Sequence, residues 1–236
     1  MKAPVKKKKR KEKSKLRGWI EDIIFVAVAV LLIRTYVVHA FRIPTGSMEE
    51  TLLVGDFLFA NKFIYGLKVP FSYKRVLKIR EPKRGDIVIF RAPYERRNLV
   101  KRCIGVEGDT IEIKNKWVYI NGKKLSEPYV KHIDPNIYPP LTLGVNDYQR
   151  DWEQSRFFRM GGHVRDNFGP VVVPKGHLFM MGDNRDNSLD SRFWGPLDEK
   201  YIIGKAMVLY FSWNNRVPFY KIWAKVRWKR IGHIIR

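Results

Sequence analysis

The first apolar segment of the chain lies near its N-terminus and has the composition of a membrane-spanning helix. Residues 23–33 form an uncharged run that is shorter than the roughly twenty residues needed to cross a bilayer. Glu21 and Asp22 can lie at one interface, and the long side chain of Arg34 can reach the other, which lengthens the span. A cleaved signal peptide is the alternative, but no small-x-small site ends the run. We predict one transmembrane helix over residues 19–40.

Beyond residue 40 the hydrophobic pattern changes to short runs that are typical of β-strands. These runs are bounded by glycine, proline and asparagine, and Asn121-Gly122 is a strong signal for a hairpin turn. Strands are predicted over residues 56–63, 86–90, 99–106, 110–113, 117–120 and 205–211. The sequence therefore predicts a mainly β fold.

The C-terminal tail, residues 213–236, is basic and rich in tryptophan. A helix starting near Val217 would align six residues on one face: Tyr220, Trp223, Ala224, Trp228, Ile231 and Ile235. Such a face suits either a membrane surface or packing on the protein's own domain.

Positive charge is concentrated at the N-terminus. The chain has a formal charge of +23, and residues 1–17 hold ten Lys or Arg against one Glu. A basic run can bind nucleic acid, so a membrane-tethered nucleic-acid-binding protein is one hypothesis. Because an apolar segment follows, the same run predicts that the N-terminus is cytoplasmic and that everything after about residue 40 lies outside.

Cysteine and histidine give no sign of thiol or metal chemistry. Cys103 is the only cysteine, so an internal disulfide is excluded, and we interpret it as a small buried apolar residue. The five histidines form no His-Glu-x-x-His pair and show no metal-ligand spacing. We predict neither a metal site nor a cofactor.

Residues 182–192 form the most polar stretch of the chain between two apolar ones. A turn-rich surface loop is the simpler interpretation of its Gly-Asp and Asp-Asn pairs. The alternative is an internally satisfied polar network that supports a catalytic group, since polar groups near a core need hydrogen-bond partners. Ser47, preceded by Pro44 and Gly46, and Lys101, at the start of a strand-like run, are the candidates for that group.

Four motifs together resemble bacterial type I signal peptidases, the membrane-bound serine/lysine peptidases that remove signal peptides. They are the Ser-Met-x-x-Thr-Leu run at Ser47, the strand of residues 84–90, the Lys101-Arg102 strand with its Gly-Asp turn, and the loop of residues 182–192. Glu50 and Glu107 depart from the pattern, because the family usually has proline at both positions.

The resemblance implies an antiparallel β catalytic core with an inserted second β-rich domain and one N-terminal transmembrane helix. We expect the core to comprise residues 41–113 and 176–212 and the insertion to comprise residues 114–175. A basic cytoplasmic segment (residues 1–18), the transmembrane helix and the tail complete the chain.

Peptide hydrolysis needs a nucleophile, a base and donors for the developing oxyanion. Lys101 can act as the base for Ser47 only if its amine is neutral, and burial in an apolar pocket lowers a lysine pKa in that direction. By resemblance, Ser188 orients the Lys101 amine, and Thr45 with the Ser47 amide forms the oxyanion hole. By the same resemblance, Asp190 and Arg192 hold the polar loop.

The expected substrates are secreted preproteins, cut after small-x-small sites. Shallow pockets would be lined by Ile43, Met48, Leu52, Leu58, Ile89 and Val100, and would admit alanine but nothing larger. Membrane lipids are the other expected partner; we expect no nucleic acid and no obligatory protein partner. The resemblance places the protein in the inner (plasma) membrane, with the catalytic domain on the outer side.

A self-cleaving repressor-type Ser/Lys protease is a second alternative. Such proteins share this chemistry and a related β architecture. They carry a DNA-binding helical domain where this chain has the apolar segment at residues 23–33. This difference argues against the repressor-type hypothesis.

Overall fold

The computed structural model describes residues 15–32, 34, 38–68, 75–218 and 220–236, and these form a mainly β structure. The helices are α1 (Lys15–Leu32), α2 (Val145–Glu153), α3 (Ser191–Trp194) and α4 (Ile222–Lys225). The strands are β1 (Val38–Arg42), β2 (Asp56–Asn61), β3 (Leu67–Lys68), β4 (Arg75–Val76), β5 (Ile87–Arg91), β6 (Asn98–Gly105), β7 (Thr110–Lys114), β8 (Trp117–Ile120), β9 (Lys123–Lys124), β10 (Phe168–Val172), β11 (His177–Met181), β12 (Leu197–Asp198) and β13 (Ile202–Ser212).

An antiparallel seven-stranded sheet forms the centre of the molecule, in the order β1-β2-β13-β5-β6-β11-β12. β7 to β10 form a second sheet of four strands, in the order β10-β7-β8-β9, and β3 pairs with β4. All six predicted strands are present, so those predictions are confirmed within a few residues at each end.

The two larger sheets divide the chain earlier than the expected domain boundary at residue 114. β6 ends in the first sheet at Gly105, and β7 begins the second sheet at Thr110. The second sheet shares an apolar core with the first, since Ile111 and Phe168 pack in one buried cluster with Phe179 of β11. The interpretation of residues 114–175 as an inserted domain stays a prediction.

The N-terminal helix is shorter than predicted. α1 ends at Leu32, and residues 38–40 belong to β1, where they pair with residues 59–61 of β2. The predicted end at residue 40 is therefore wrong, because backbone pairing with β2 takes those residues into the sheet. Residues 1–14, 33 and 35–37 lie outside the described residues. In the part of the chain that is described, no helix combines the length and the hydropathy needed to cross a membrane.

The tail is not one continuous helix, so that prediction is wrong. α4 has four residues, and Val226 forms a bridge to Trp213 while Ile234 forms one to Val208 of β13. Hydrogen bonding to β13 therefore replaces the helical periodicity. Ile235 is buried in the core, whereas Tyr220, Trp223 and Trp228 are exposed. The tail packs on its own domain, and these three aromatic residues face outward.

The tail also holds the segment that follows the first candidate residue, Ser47. Asp56 is fully buried, and its carboxylate accepts hydrogen bonds from Ser212 Oγ (2.6 Å) and from the guanidinium of Arg230 (2.6 Å). Arg230 also donates to the carbonyl of Thr51 (2.9 Å). A buried carboxylate is tolerated when paired and hydrogen-bonded in this way, and the pair fixes the tail against residues 51–56.

Candidate active site

Ser47 lies on a turn that connects β1 to β2. The turn is closed at its base, since Ile43 N donates to Asp56 O (2.8 Å) and Gly55 N donates to Ile43 O (3.0 Å). The side chains of Met48 and Leu52 point into the core and are almost completely buried. Burial of these two side chains anchors the turn, which leaves the neighbouring Ser47 partly exposed at the surface.

Lys101 lies in the middle of β6, beside Ser47. Its Nζ is 2.6 Å from Ser47 Oγ, although the two residues are 54 positions apart in the chain. Only 2 % of Lys101 is exposed. Burial lowers the pKa of the Lys101 amine to about 8, against the opposing charges of Asp190 and Asp183. The neutral amine, which can accept a proton, is therefore far more populated near neutral pH than in an ordinary lysine, although the ammonium still predominates at pH 7.

A cleft of about 350 Å³ opens in front of this pair. Two further predicted residues, Thr45 and Ser188, line it together with Ser47 and Lys101. The remaining lining residues are Gly46, Tyr94, Arg97, Leu99, Asp186, Asn187, Leu189 and Phe193. Ser188 Oγ is buried and lies beside the Asp190 carboxylate, whose pKa it helps to lower.

The polar loop of residues 182–192 forms an internally bonded network. Asp190 and Arg192 form a buried ion pair with two hydrogen bonds (2.8 and 2.9 Å), and Asp190 also accepts from Gly182 N (3.1 Å). Arg192 donates to the carbonyls of Arg165 and Arg185, each at 2.7 Å. Because the Asp190 and Arg192 charges are paired and hydrogen-bonded, the loop can be both polar and buried.

The polar loop contacts the Ser47 backbone directly. Asn184 N donates to Ser47 O (3.2 Å), and Asn184 Nδ2 donates to Gly46 O (3.1 Å). A Cβ at Gly182 would lie 2.4 Å from Ser47 O and 2.3 Å from Ser188 Oγ. Only glycine therefore allows the loop to approach this closely.

A second buried ion pair, Arg102 with Asp183, was not identified from the sequence as part of the site. Arg102 donates to both carboxylate oxygens of Asp183 (2.9 and 2.8 Å), and Thr51 Oγ1 donates to the same carboxylate (2.5 Å). The pair joins β6, the polar loop and the Ser47 turn. Both residues lie within the motifs, but their pairing across 81 positions of sequence has no local signal.

The six predicted substrate-contact residues are found together beneath the Ser47 turn. Ile43, Met48, Leu52, Leu58 and Ile89 belong to one buried apolar cluster, and Val100 packs against it. None of the six lines the cleft in front of Lys101. Their role as substrate contacts stays a prediction.

Glu50 and Glu107, which depart from the family pattern, each make a polar contact through their carboxylates. Glu50 has a φ of 86°, which the proline ring cannot reach, and its carboxylate lies 3.0 Å from Lys131 Nζ. Glu107 accepts a hydrogen bond from Gly176 N (2.9 Å). The turn after Ser47 therefore differs locally from one that contains proline.

Neither Cys103 nor any of the five histidines lines the cleft. Burial raises the pKa of the Cys103 thiol, so the reactive thiolate is disfavoured, in agreement with its interpretation as a buried apolar residue. Among the residues that the structure describes, no group of His, Cys, Asp and Glu could hold a metal ion.

Burial of the Lys101 amine predicts a pH-dependent stability. The folded pKa lies below the unfolded one, so the unfolded state binds more protons and stability rises with pH between about 8 and 10.5. Lys101→Met should raise the free energy of unfolding at pH 7 by up to roughly 3 kcal/mol and remove that rise. Urea unfolding at pH 7, 9 and 10 measures both effects. The exposed Lys123→Met variant is the control, and a less stable Lys101→Met protein would contradict the burial penalty.

Comparison with known proteins agrees with the resemblance that the sequence motifs indicate. Residues 16–213 match the family described as signal peptidase, peptidase S26. The chain is 40% identical to signal peptidase I of Pseudomonas aeruginosa over 206 residues, which cover 80% of this chain and 70% of the relative. It is 35% identical to signal peptidase I of Bacillus licheniformis, and this match covers 88% of this chain and 95% of the relative. A crystal structure of a signal peptidase I from Enterococcus faecalis matches 53% of this chain and 97% of its own, at 28% identity and a TM-score of 0.37.

The family match covers most of the chain, and both curated relatives exceed 30% identity. The chain belongs to the signal peptidase family S26 and is an enzyme of the type I signal peptidase class.

Proposed function

We propose that this enzyme cleaves secreted preproteins after small-x-small sites, with Ser47 as nucleophile and Lys101 as general base. The observation that carries the proposal is the 2.6 Å contact between Ser47 Oγ and a fully buried Lys101 amine. A base must lie within hydrogen-bond reach of the proton that it removes and must have a pKa near the working pH. The geometry and the lowered pKa of Lys101 meet both conditions.

In the first half of the reaction, Ser47 Oγ attacks the scissile carbonyl and its proton moves to Lys101 Nζ. The ammonium then gives this proton to the departing amine of the mature protein, which leaves an acyl-enzyme ester on Ser47. In the second half, Lys101 takes a proton from a water molecule. The water oxygen attacks the carbonyl carbon of the ester, and the signal peptide is released. Lys101 is neutral again when it returns the proton to Ser47 Oγ.

The groups around the pair support this chemistry. The Ser47 amide and the Thr45 hydroxyl are the proposed donors to the oxyanion, and Thr45 lines the cleft. Ser188 is the proposed orienting group for Lys101, since both residues line the same cleft. Asp190 and Arg192 hold the loop that carries Ser188.

An extended substrate can pair with the first half of β6. β11 pairs with β6 only from Arg102 to Gly105, and β5 occupies the other edge. Residues 98–101 therefore present one edge without a strand partner in the described structure, directly next to Ser47. Strand addition at such an edge supplies main-chain hydrogen bonds. The buried apolar cluster beneath the turn leaves little depth for side chains, which is the proposed basis for selecting alanine.

We also propose that the N-terminal apolar segment anchors the enzyme in the inner (plasma) membrane as a single pass. Large apolar side chains of α1, among them Trp19, Ile23, Phe25 and Leu31, are each more than 60% exposed. Such a surface is unfavourable in water and favourable in lipid. The ten basic residues before it favour a cytoplasmic N-terminus, with Ser47 on the outer side.

Loss of either member of the pair should abolish processing. Ser47→Ala and Lys101→Ala are expected to lower kcat/KM for a preprotein by at least about 1,000-fold, because nucleophile and base act as one unit. Cleavage is followed by mass spectrometry of the products. Ser126→Ala and Lys123→Ala change exposed residues and should retain activity. Substantial cleavage by folded Lys101→Ala would rule out the lysine base.

The anchoring proposal predicts which part of the chain an external protease can reach. In intact spheroplasts, added protease should degrade the body of the protein, beginning after residue 40, and should spare the basic N-terminal segment. An epitope tag placed before residue 15 reports the protected fragment, and permeabilised cells are the control. Protection of the body in intact cells would reverse the proposed topology.

A further inference from the structure

Residues 127–131, which we call the brace segment, contact the outer side of the polar loop. The segment follows β9 and lies in a region to which the sequence assigned no role. Lys131 N donates to Asp183 O (2.8 Å), and Arg185 N donates to Lys131 O (3.0 Å). These two bonds form a parallel bridge between Lys131 and Asn184. The brace segment therefore acts as a short extra strand on the loop.

Glu127 forms a buried ion pair with the loop. Its two carboxylate oxygens accept from the two terminal nitrogens of Arg185, Nη1 at 3.0 Å and Nη2 in a shorter contact. The two side chains are only 7% and 2% exposed. Arg185 also donates through Nε to Gly182 O (3.2 Å). Glu127 thereby fixes the arginine that holds the glycine packed against Ser47.

Tyr129 contacts the other buried ion pair of the site. The guanidinium carbon of Arg102 lies 3.7 Å from the centre of the Tyr129 ring, and the Tyr129 hydroxyl donates to Glu127 (3.1 Å). Arg102 in turn donates to both oxygens of Asp183. Tyr129 therefore packs against the Arg102 guanidinium, which joins β6 to the polar loop at the residue next to Lys101.

The brace segment and the Ser47 turn contact the same loop residues, and Lys131 Nζ also lies 3.0 Å from the carboxylate of Glu50 in the turn. Asp183 and Arg185 bond to the brace segment, while Asn184, between them, donates to the carbonyls of Ser47 and Gly46. The bonds to the brace segment limit the movement of residues 183–185. The bonds from Asn184 transmit the position of these residues to Ser47.

We propose that Glu127 and Tyr129 are positioning residues that hold the polar loop, and through it Ser47, in register with Lys101. The proposal rests on the proposed role of Ser47 and assigns a function to a segment outside the family motifs. A buried ion pair that loses one partner leaves an uncompensated charge, so the loop should shift when Glu127 is neutralised. A displacement of about 1 Å at a reacting group can reduce the rate about 100-fold.

The test compares steady-state kinetics of the full-length enzyme on a preprotein for four variants. Tyr129→Leu removes the stack on Arg102, and Glu127→Gln neutralises the ion pair with Arg185. Each should lower kcat by about 10- to 100-fold while KM changes little, since substrate contacts are intact. Tyr129→Phe keeps the ring and should stay close to the wild type. Trp117→Leu removes a comparable stack, on Lys124, away from the loop and should leave kcat unchanged.

Hydrogen exchange at the amides of Asn184 and Arg185 gives a readout that does not need activity. Exchange should be faster in Tyr129→Leu and Glu127→Gln than in the wild type and in Trp117→Leu. Wild-type kcat in folded Tyr129→Leu, or unchanged exchange in both variants, would overturn the positioning role. If the wild type itself fails to cleave preproteins, the proposed function fails, and the exchange rates alone decide whether the brace segment holds the loop.

Discussion

The site depends on a lysine amine that is removed from water and placed against a serine hydroxyl. Desolvation penalises the charged form of Lys101, so its pKa falls to about 8, and Ser47 Oγ lies 2.6 Å away. Nearby carboxylates, including Asp190, oppose this shift. Each is held in an ion pair with an arginine, which limits its effect on Lys101. In the proposed mechanism, this arrangement gives a base that works near neutral pH without a histidine.

The rest of the fold maintains this contact between two distant parts of the chain. Lys101 pairs with Val88 of β5, and β11 pairs with β6 from Arg102 onward, so the sheet fixes the backbone of Lys101. The Ser47 turn is held from below by the apolar cluster that contains Met48 and Leu52, and from the side by the polar loop. The polar loop is in turn stabilised by buried ion pairs, which are stable only as complete networks.

What could be predicted from the sequence was local, or was carried by motifs. Alternating strands such as 117–120 have a strong local pattern, and the motifs identified Ser47 and Lys101 as candidates. The pairing of β1 with β2, the bridges from the tail to β13 and the contact of Glu127 with Arg185 join residues that are far apart in sequence. The tail has helical periodicity, but hydrogen bonds to β13 outweigh that local preference, as tertiary contacts commonly do. The pairing of Arg102 with Asp183 could not be predicted either, because the two residues are 81 positions apart and nothing local links them.

The most direct test of the account is the pKa of Lys101 itself. Carbon-13-labelled lysine in the full-length enzyme allows each Cε resonance to be titrated by NMR, and the Lys101→Met spectrum identifies the signal that belongs to Lys101. The account predicts a midpoint of about 8 for this signal, while exposed lysines titrate near 10.4. A midpoint near 10.4 for Lys101 would show that the amine is charged at neutral pH and would contradict its assignment as the base.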